Sequence, residues 1–167
     1  MEFPALKNIY TYVGGNPISW VDPLGLRIFN PSGKIISDEV LDALREFNKK
    51  IGCDKDISIT DGDRPASAKI GAGKKSKHVQ HLAADIKVRD QTHLETANQA
   101  RLSGIFGGIG WYEEGYSGPR GEGPHVHVDL RDSSAMWGYN KDGKEYHRSF
   151  PKYSPDQKLS PSQCGCE

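Results

Sequence analysis

The segment His125-Val126-His127-Val128-Asp129-Leu130 alternates polar and apolar residues with the period of a β-strand. That period puts His125, His127 and Asp129 on one face and turns Val126, Val128 and Leu130 toward a core. Two imidazoles and a carboxylate side by side are donors for a borderline cation such as zinc, and a strand is a stiff mount for them. Taken alone, the same pattern also describes two surface histidines on a half-exposed strand. A second cluster bears on the choice. Residues Ser76 to Asp85 read SKHVQHLAAD, which sets His78 seven residues ahead of Asp85 with small residues between. A His on a loop and an Asp on a strand can converge on one ion at that spacing. Such a pair alone arises easily by chance. Followed by a Gly-Gly-x-Gly strand and a His-x-His strand, it becomes a composite signal. Three protein donors leave a fourth position for water, as in catalytic zinc sites, where the pKa of that water falls to about 7.

The elements that must position these residues can be read from pattern. Ser37 to Ile51 begins with a capping Ser and two acids, ends in lysines, and repeats apolar residues at Val40, Leu41, Leu44 and Phe47, which predicts an amphipathic helix. Ile57 to Thr60 alternates as a strand and stops at the turn cluster Asp61-Gly62-Asp63. Gly71 to Lys77 reads as a Gly/Lys loop, Leu82 to Val88 as a strand holding Asp85, and Thr92 to Leu102 as a helix. Ile105 to Tyr112 reads as a Gly-rich strand, and Gly115 to Gly123 as an exposed loop before His125. One helix followed by several short strands gives an α+β domain. Aromatics on a Gly-rich strand are more often core than cleft, so Trp111, Tyr112 and Tyr116 are expected mainly in the core. His93 and His147 lack partners at ligand spacing and are read as bystanders, and Lys74, Lys75 and Lys77 as solvated loop lysines.

The pieces TDGDRPAS, SKHVQHLAADI, GGIGWY and HVHVDLR resemble, in order and spacing, the LAS group of zinc peptidases, and within it the D-alanyl-D-alanine peptidases of peptidoglycan. The match runs from about Ile57 to Arg131. The resemblance implies the group's fold, a small and mostly antiparallel sheet with flanking helices. It implies zinc held by His78, Asp85 and His127, with His125 as the general base that takes a proton from the zinc-bound water. It also implies that Arg64 binds the substrate carbonyl or carboxylate and steadies the oxyanion. Asp129 is expected to orient a ligand histidine from behind, and Ser76 to hold the His78 loop by a local hydrogen bond. Two departures matter. The family usually has Gly where His81 stands, which makes His81 an alternative ligand. Many relatives take the base from a Glu upstream of the histidine pair, which makes Glu122 the alternative base, with Glu113 and Glu114 behind it.

Ahead of this domain, Tyr10 to Leu26 is crowded with turn formers and has no core of its own. Its Pro17 to Leu26 pattern, P-x-x-x-x-D-P-x-G-L, resembles the end of the core domain of RHS repeat proteins, after which a variable C-terminal toxin is typically released. Three regions follow: 1–26 as core end and linker, 27–138 as the peptidase domain, and 139–167 as a polar, Pro-punctuated tail. The expected setting is an antibacterial effector, made in the cytoplasm without a secretory signal peptide and acting in the periplasm of a target cell. Its expected partners are a peptidoglycan stem peptide, a cognate immunity protein and the RHS core shell. Lys and Arg total 22 against 22 Asp and Glu, so no bulk field favours nucleic acid or an anionic membrane, and a nuclease toxin is disfavoured. A metal-bearing binding module of the hedgehog type is the other alternative. The odd cysteine set, Cys53, Cys164 and Cys166, reads by default as free thiols, with a disulfide through Cys53 as the alternative.

Overall fold

The computed structural model describes residues 27–145 apart from 32, 68–74 and 119–120. The RHS-like strip, His147 and the polar tail beyond 145 lie outside the described residues, as do Cys164 and Cys166.

The first helix, α1, spans Asp38–Ile51. Ser37 caps it by accepting the Val40 N–H, and Asp38 and Glu39 in the first turn with Lys49 and Lys50 in the last complement its dipole. Val40, Leu44 and Phe47 are buried, and burial of each stabilises the fold by roughly 1.5–3 kcal/mol. The second helix, α2, spans His93–Ser103. It begins in a reciprocal capping box between Thr92 and Glu95 and stops at Gly104, whose φ of 67° gives the left-handed turn that a side chain would resist.

Six strands form one sheet: β1 (Ile28–Phe29), β2 (Ile57–Asp61), β3 (Ala83–Val88), β4 (Gly108–Tyr112), β5 (Val126–Asp129) and β6 (Ala135–Tyr139), in the order β1-β2-β3-β5-β4-β6. The α+β class is as expected, but the sheet is mixed rather than mostly antiparallel. The pairs β2–β3, β3–β5 and β5–β4 are antiparallel, and the edge pairs β1–β2 and β4–β6 are parallel. Both parallel pairs have a topological cause. The chain passes from β1 to β2 through α1, which returns it in the same direction. Strand β6 lies outside β4 instead of beside β5. Neither edge strand was visible in the sequence, because β1 is two residues long and β6 sits where the domain was expected to end. Tyr139, the expected start of the tail, is the last residue of β6 and bridges to Glu145.

One face of the sheet is core. Ile57, Ile59, Ala84, Ile86, Ile109, Trp111, Val126 and Val128 pack with the buried residues of α1 and with Ala97 and Ala100 of α2. Trp111 is core as expected, whereas Tyr112 and Tyr116 line a cleft on the other face. Cys53 is disulfide-bonded, which replaces the default expectation of a free thiol there. Among the described residues no helix is long and apolar enough to cross a membrane.

Candidate metal centre

The strand register lays the chemistry out in rows across the face opposite the core. Asp61 pairs with Asp85, Asp85 with His127, His127 with Gly110, and Gly110 with Trp137, so five strands contribute to one transverse row. Beside it runs a second row: Tyr112 pairs with Tyr139 on β6, and the Tyr112 N–H donates to the carbonyl of His125, just ahead of β5. Since strand residues alternate in side, the row that carries Asp85 and His127 is fixed by the same register that sends Ile86 and Val126 into the core.

His78 reaches the first row from a turn, not a strand. Its Nε2 lies 3.1 Å from Asp85 Oδ1 and 3.0 Å from His127 Nδ1, and His127 Nδ1 lies 2.9 Å from Asp85 Oδ1. All three residues are buried, at 3%, 5% and 8% exposure for His78, Asp85 and His127. The proton positions follow from the partners on the far sides of the rings. His78 Nδ1 lies 2.7 Å from the Gly62 carbonyl, which can only accept, so this nitrogen carries the hydrogen and Nε2 is bare. His127 Nε2 donates to Asp129 Oδ2 at 3.0 Å, so its Nδ1 is bare as well. Two nitrogen lone pairs and a carboxylate oxygen therefore converge within a triangle of about 3 Å edge. Without a cation among them they repel. Donors bound to a tetrahedral zinc at about 2.0–2.1 Å stand roughly 3.3 Å apart, so the triangle has nearly the size of one face of such a site. The donor set fits a zinc ion, and these three residues form a buried group able to hold a metal. Electrostatics agree. Burial raises the Asp85 carboxyl, yet the His127 and His78 rings at 2.9 and 3.1 Å, which become donors to it once a proton enters the triangle, outweigh it and hold Asp85 well below the usual range. Burial pulls the His127 imidazole down, but the Asp129 and Asp85 carboxylates prevail and raise it. The site attracts a cation, or a proton in its stead.

Behind His127 the support is continuous. Asp129 is fully buried, and Arg131 grips it through Nε to Oδ1 at 2.8 Å and Nη2 to Oδ2 at 2.5 Å. Burial would raise the Asp129 carboxyl, but the His127 and Arg131 hydrogen bonds depress it far below the ordinary range. The Arg131 guanidinium sits 5.2 Å above the Trp137 ring, which packs 5.3 Å from the His127 ring. The glycines of GGIG make room for this assembly. A Cβ on Gly108 would collide with the Asp129 carboxylate, one on Gly107 with the Arg131 carbonyl, and one on Gly110 would lie 2.5 Å from the Trp137 indole. Asp129 thus lies on the side of the His127 ring away from the donor triangle.

Ser76 begins the turn that carries His78. It braces the His78 turn through its main-chain carbonyl, which accepts from the Val79 and Gln80 N–H groups, and its hydroxyl makes no hydrogen bond among the described residues. His81 is outside the donor cluster: its side chain is exposed and pairs with Asp63 Oδ2 at 2.9 Å. Its φ of 60° is left-handed backbone, which Gly would adopt more readily than His. His93, the expected bystander, pairs with Glu114 at 2.7 Å at the start of α2.

Arg64 and His125 stand on the cleft side of Asp85. Arg64 is anchored by Asp61 Oδ2, through Nε at 2.9 Å and Nη2 at 2.7 Å, and its Nη2 is 3.3 Å from Asp85 Oδ2. His125 donates from Nδ1 to the Gly123 carbonyl at 2.8 Å, which leaves Nε2 bare, 3.7 Å from Asp85 Oδ2. Burial is the largest influence on His125 and lowers its pKa, so at neutral pH it is an unprotonated acceptor. Glu122 lines the same cleft, but its carboxylate lies against Gly118 near the Tyr116 hydroxyl. The cleft encloses about 900 Å³ and is also lined by Lys75, Lys77, Tyr112, Tyr116 and Tyr139. Sequence reasoning missed Asp61, Arg131 and Trp137 as parts of the site. For Arg131 a signal existed, since it continues the alternation of His127 and Asp129 by one more step.

A sheet that carries a buried His-Asp-His donor group at the floor of an open cleft defines a domain able to hold a single metal ion within reach of a bound molecule. The family model for peptidase M15 matches residues 27–129, more than half of the chain, and the protein belongs to that family of zinc-dependent metallopeptidases. No curated protein and no solved structure matches the chain.

Proposed function

We propose that this zinc metallopeptidase hydrolyses an amide bond in the peptide stem of peptidoglycan, as the toxin domain of an RHS effector. The observation that carries the reading is the placement of His125 and Arg64 on the cleft side of Asp85, whose other oxygen belongs to the donor triangle.

His78, Asp85 and His127 would hold the zinc, which when bound would supply a Lewis acid and make water a stronger acid near neutral pH. His125 Nε2, bare and near neutral pH unprotonated, takes a proton from the attacking water and passes it to the departing amine. Water is thereby added across the C–N bond, giving a carboxylate and an amine. Arg64 binds the scissile carbonyl or a stem-peptide carboxylate, and Asp61 keeps its guanidinium from swinging away. Asp129 and Arg131 hold the His127 ring so that Nδ1 faces the donor triangle. Glu122, whose carboxylate rests against Gly118, is the alternative base.

The effector setting rests on the Pro17 to Leu26 pattern and brings an immunity protein and an RHS shell as partners. The test is incubation of metal-loaded protein and its His127→Ala variant with purified peptidoglycan, followed by mass analysis of the fragments. Metal-dependent loss of one alanine from pentapeptides identifies a carboxypeptidase, and conversion of dimers to monomers an endopeptidase. Unchanged peptidoglycan with zinc bound would reject the peptidase reading in favour of a binding module. Lysis of a bacterium only when the domain is exported to its periplasm, abolished by His127→Ala, is the expected result for the effector setting.

A further inference from the structure

We infer that Tyr112 is a further catalytic residue, whose hydroxyl donates a hydrogen bond to the substrate carbonyl oxygen as water adds to it; this rests on the amide hydrolysis proposed above. Tyr112 belongs to the row beside the metal row, and its ring is held between two others. His125 stacks on it at 4.0 Å and 21°, and Tyr139 at 5.1 Å and 11°. The hydroxyl leans back over the metal row, because it accepts from Nε1 of Trp137, the residue that packs over the His127 ring. That bond occupies a lone pair of the oxygen and leaves the hydroxyl hydrogen without an acceptor among the described residues.

A rigid O–H donor with no internal acceptor, beside the base and lining the cleft of the donor triangle, has the properties needed where negative charge develops. Arg64 approaches Asp85 from the segment after β2, whereas Tyr112 approaches from β4 on the far side of β5, so the two donors flank the reacting group rather than duplicate each other. Burial is the chief influence on the Tyr112 hydroxyl and raises its pKa above the ordinary value, which favours the protonated, donating form. The proton is shared with the developing oxyanion and stays on Tyr112. No group is transferred.

The test is Tyr112→Phe, which keeps the ring and both stacks and removes only the hydroxyl. On zinc-loaded full chain the expected result is a fall in kcat of about 100-fold or more, the usual effect of deleting one oxyanion donor, with KM and zinc affinity unchanged. Affinity for a phosphinate analogue of the stem dipeptide, measured by calorimetry, should fall in parallel, while affinity for the released D-amino-acid product should not. If wild-type cleaves and Tyr112→Phe cleaves within about twofold of it, the inference is overturned. It is also overturned if the variant loses zinc affinity in proportion to kcat, since the hydroxyl would then serve assembly of the site. Wild-type protein that binds zinc and cleaves nothing removes the peptidase reading itself, a distinguishable outcome that takes this inference with it.

Discussion

Replacement of Asp129 by Ala should weaken zinc binding while leaving all three donor residues in the chain. Asp129 is 1% exposed and is the acceptor for the His127 Nε2 hydrogen. Its loss leaves that buried N–H unpaired, at a cost of about 1–3 kcal/mol. It also frees the His127 ring to take the other tautomer, in which Nδ1 carries the hydrogen and cannot face a metal. Loss of a partner that orients a ligand histidine typically reduces metal affinity about 10–100-fold, equivalent to about 1.4–2.7 kcal/mol. Arg131 adds little to this sum, because its side chain is 25% exposed and can turn to water. Asp129→Asn should fall between, since an amide oxygen still accepts from His127 but the neutral group holds the Arg131 fork poorly. The assay is competition against a chromophoric chelator, with circular dichroism to confirm the fold. An Ala variant that keeps its fold and binds zinc within twofold of wild-type would refute the reasoning, because His127 would then need no orientation from Asp129.

Gly110→Ala should destabilise the domain by about 1–3 kcal/mol and displace Trp137 from the His127 ring, visible as a change in tryptophan fluorescence, because the new Cβ would lie 2.5 Å from the indole. At position 81, where φ is 60°, Gly should leave thermal stability within about 1 kcal/mol of wild-type, whereas Val, which resists left-handed backbone, should lose about 1–2 kcal/mol. Zinc should protect against heat as a ligand of the folded state, by about 2.7 kcal/mol at a free concentration of 100 times Kd, and EDTA should reverse the gain in Tm. The Glu114–His93 pair gives a pH dependence. Burial raises the Glu114 carboxyl, but hydrogen bonds from His93 outweigh it and the folded pKa lies below the unfolded one. Its stabilising effect is therefore present above the ordinary carboxylate pKa and lost as pH falls through the folded value. The difference in Tm between wild-type and Glu114→Gln should accordingly shrink on acidification from pH 6 to pH 3, and a constant difference would contradict the assignment.

The donor residues were legible because each sits in a local pattern with one physical meaning. Alternation in HVHVDL forces His127 and Asp129 to the face opposite Val126 and Val128, and the core observed behind those valines leaves the register no freedom. The capping Ser37 likewise announces α1, and the helix read over Thr92 to Leu102 begins within a residue of the observed start of α2. Which atom of Ser76 closes the His78 turn was not legible, because the turn closes through main-chain hydrogen bonds, which a sequence does not distinguish from side-chain ones. His81 looked like a spare ligand, yet its side chain follows from a backbone in left-handed geometry and points to Asp63.

What the sequence determined by itself is the set of donor residues, the strands that carry two of them, and the helices that cover the core, because these depend on periods of two and 3.6 residues and on end caps. What only the tertiary structure decided is everything that crosses strands. The transverse row from Asp61 to Trp137 and the mixed sheet depend on strand order, which places β5 between β3 and β4 and β6 outside β4. The reason His78 Nε2 and His127 Nδ1 are the bare nitrogens lies in a carbonyl 16 residues before one ring and a carboxylate two residues after the other. Gly108 and Gly110 take their meaning from side chains on β5 and β6 that need the space. Periodicity says which way a side chain points, and only the packed sheet says what it meets there.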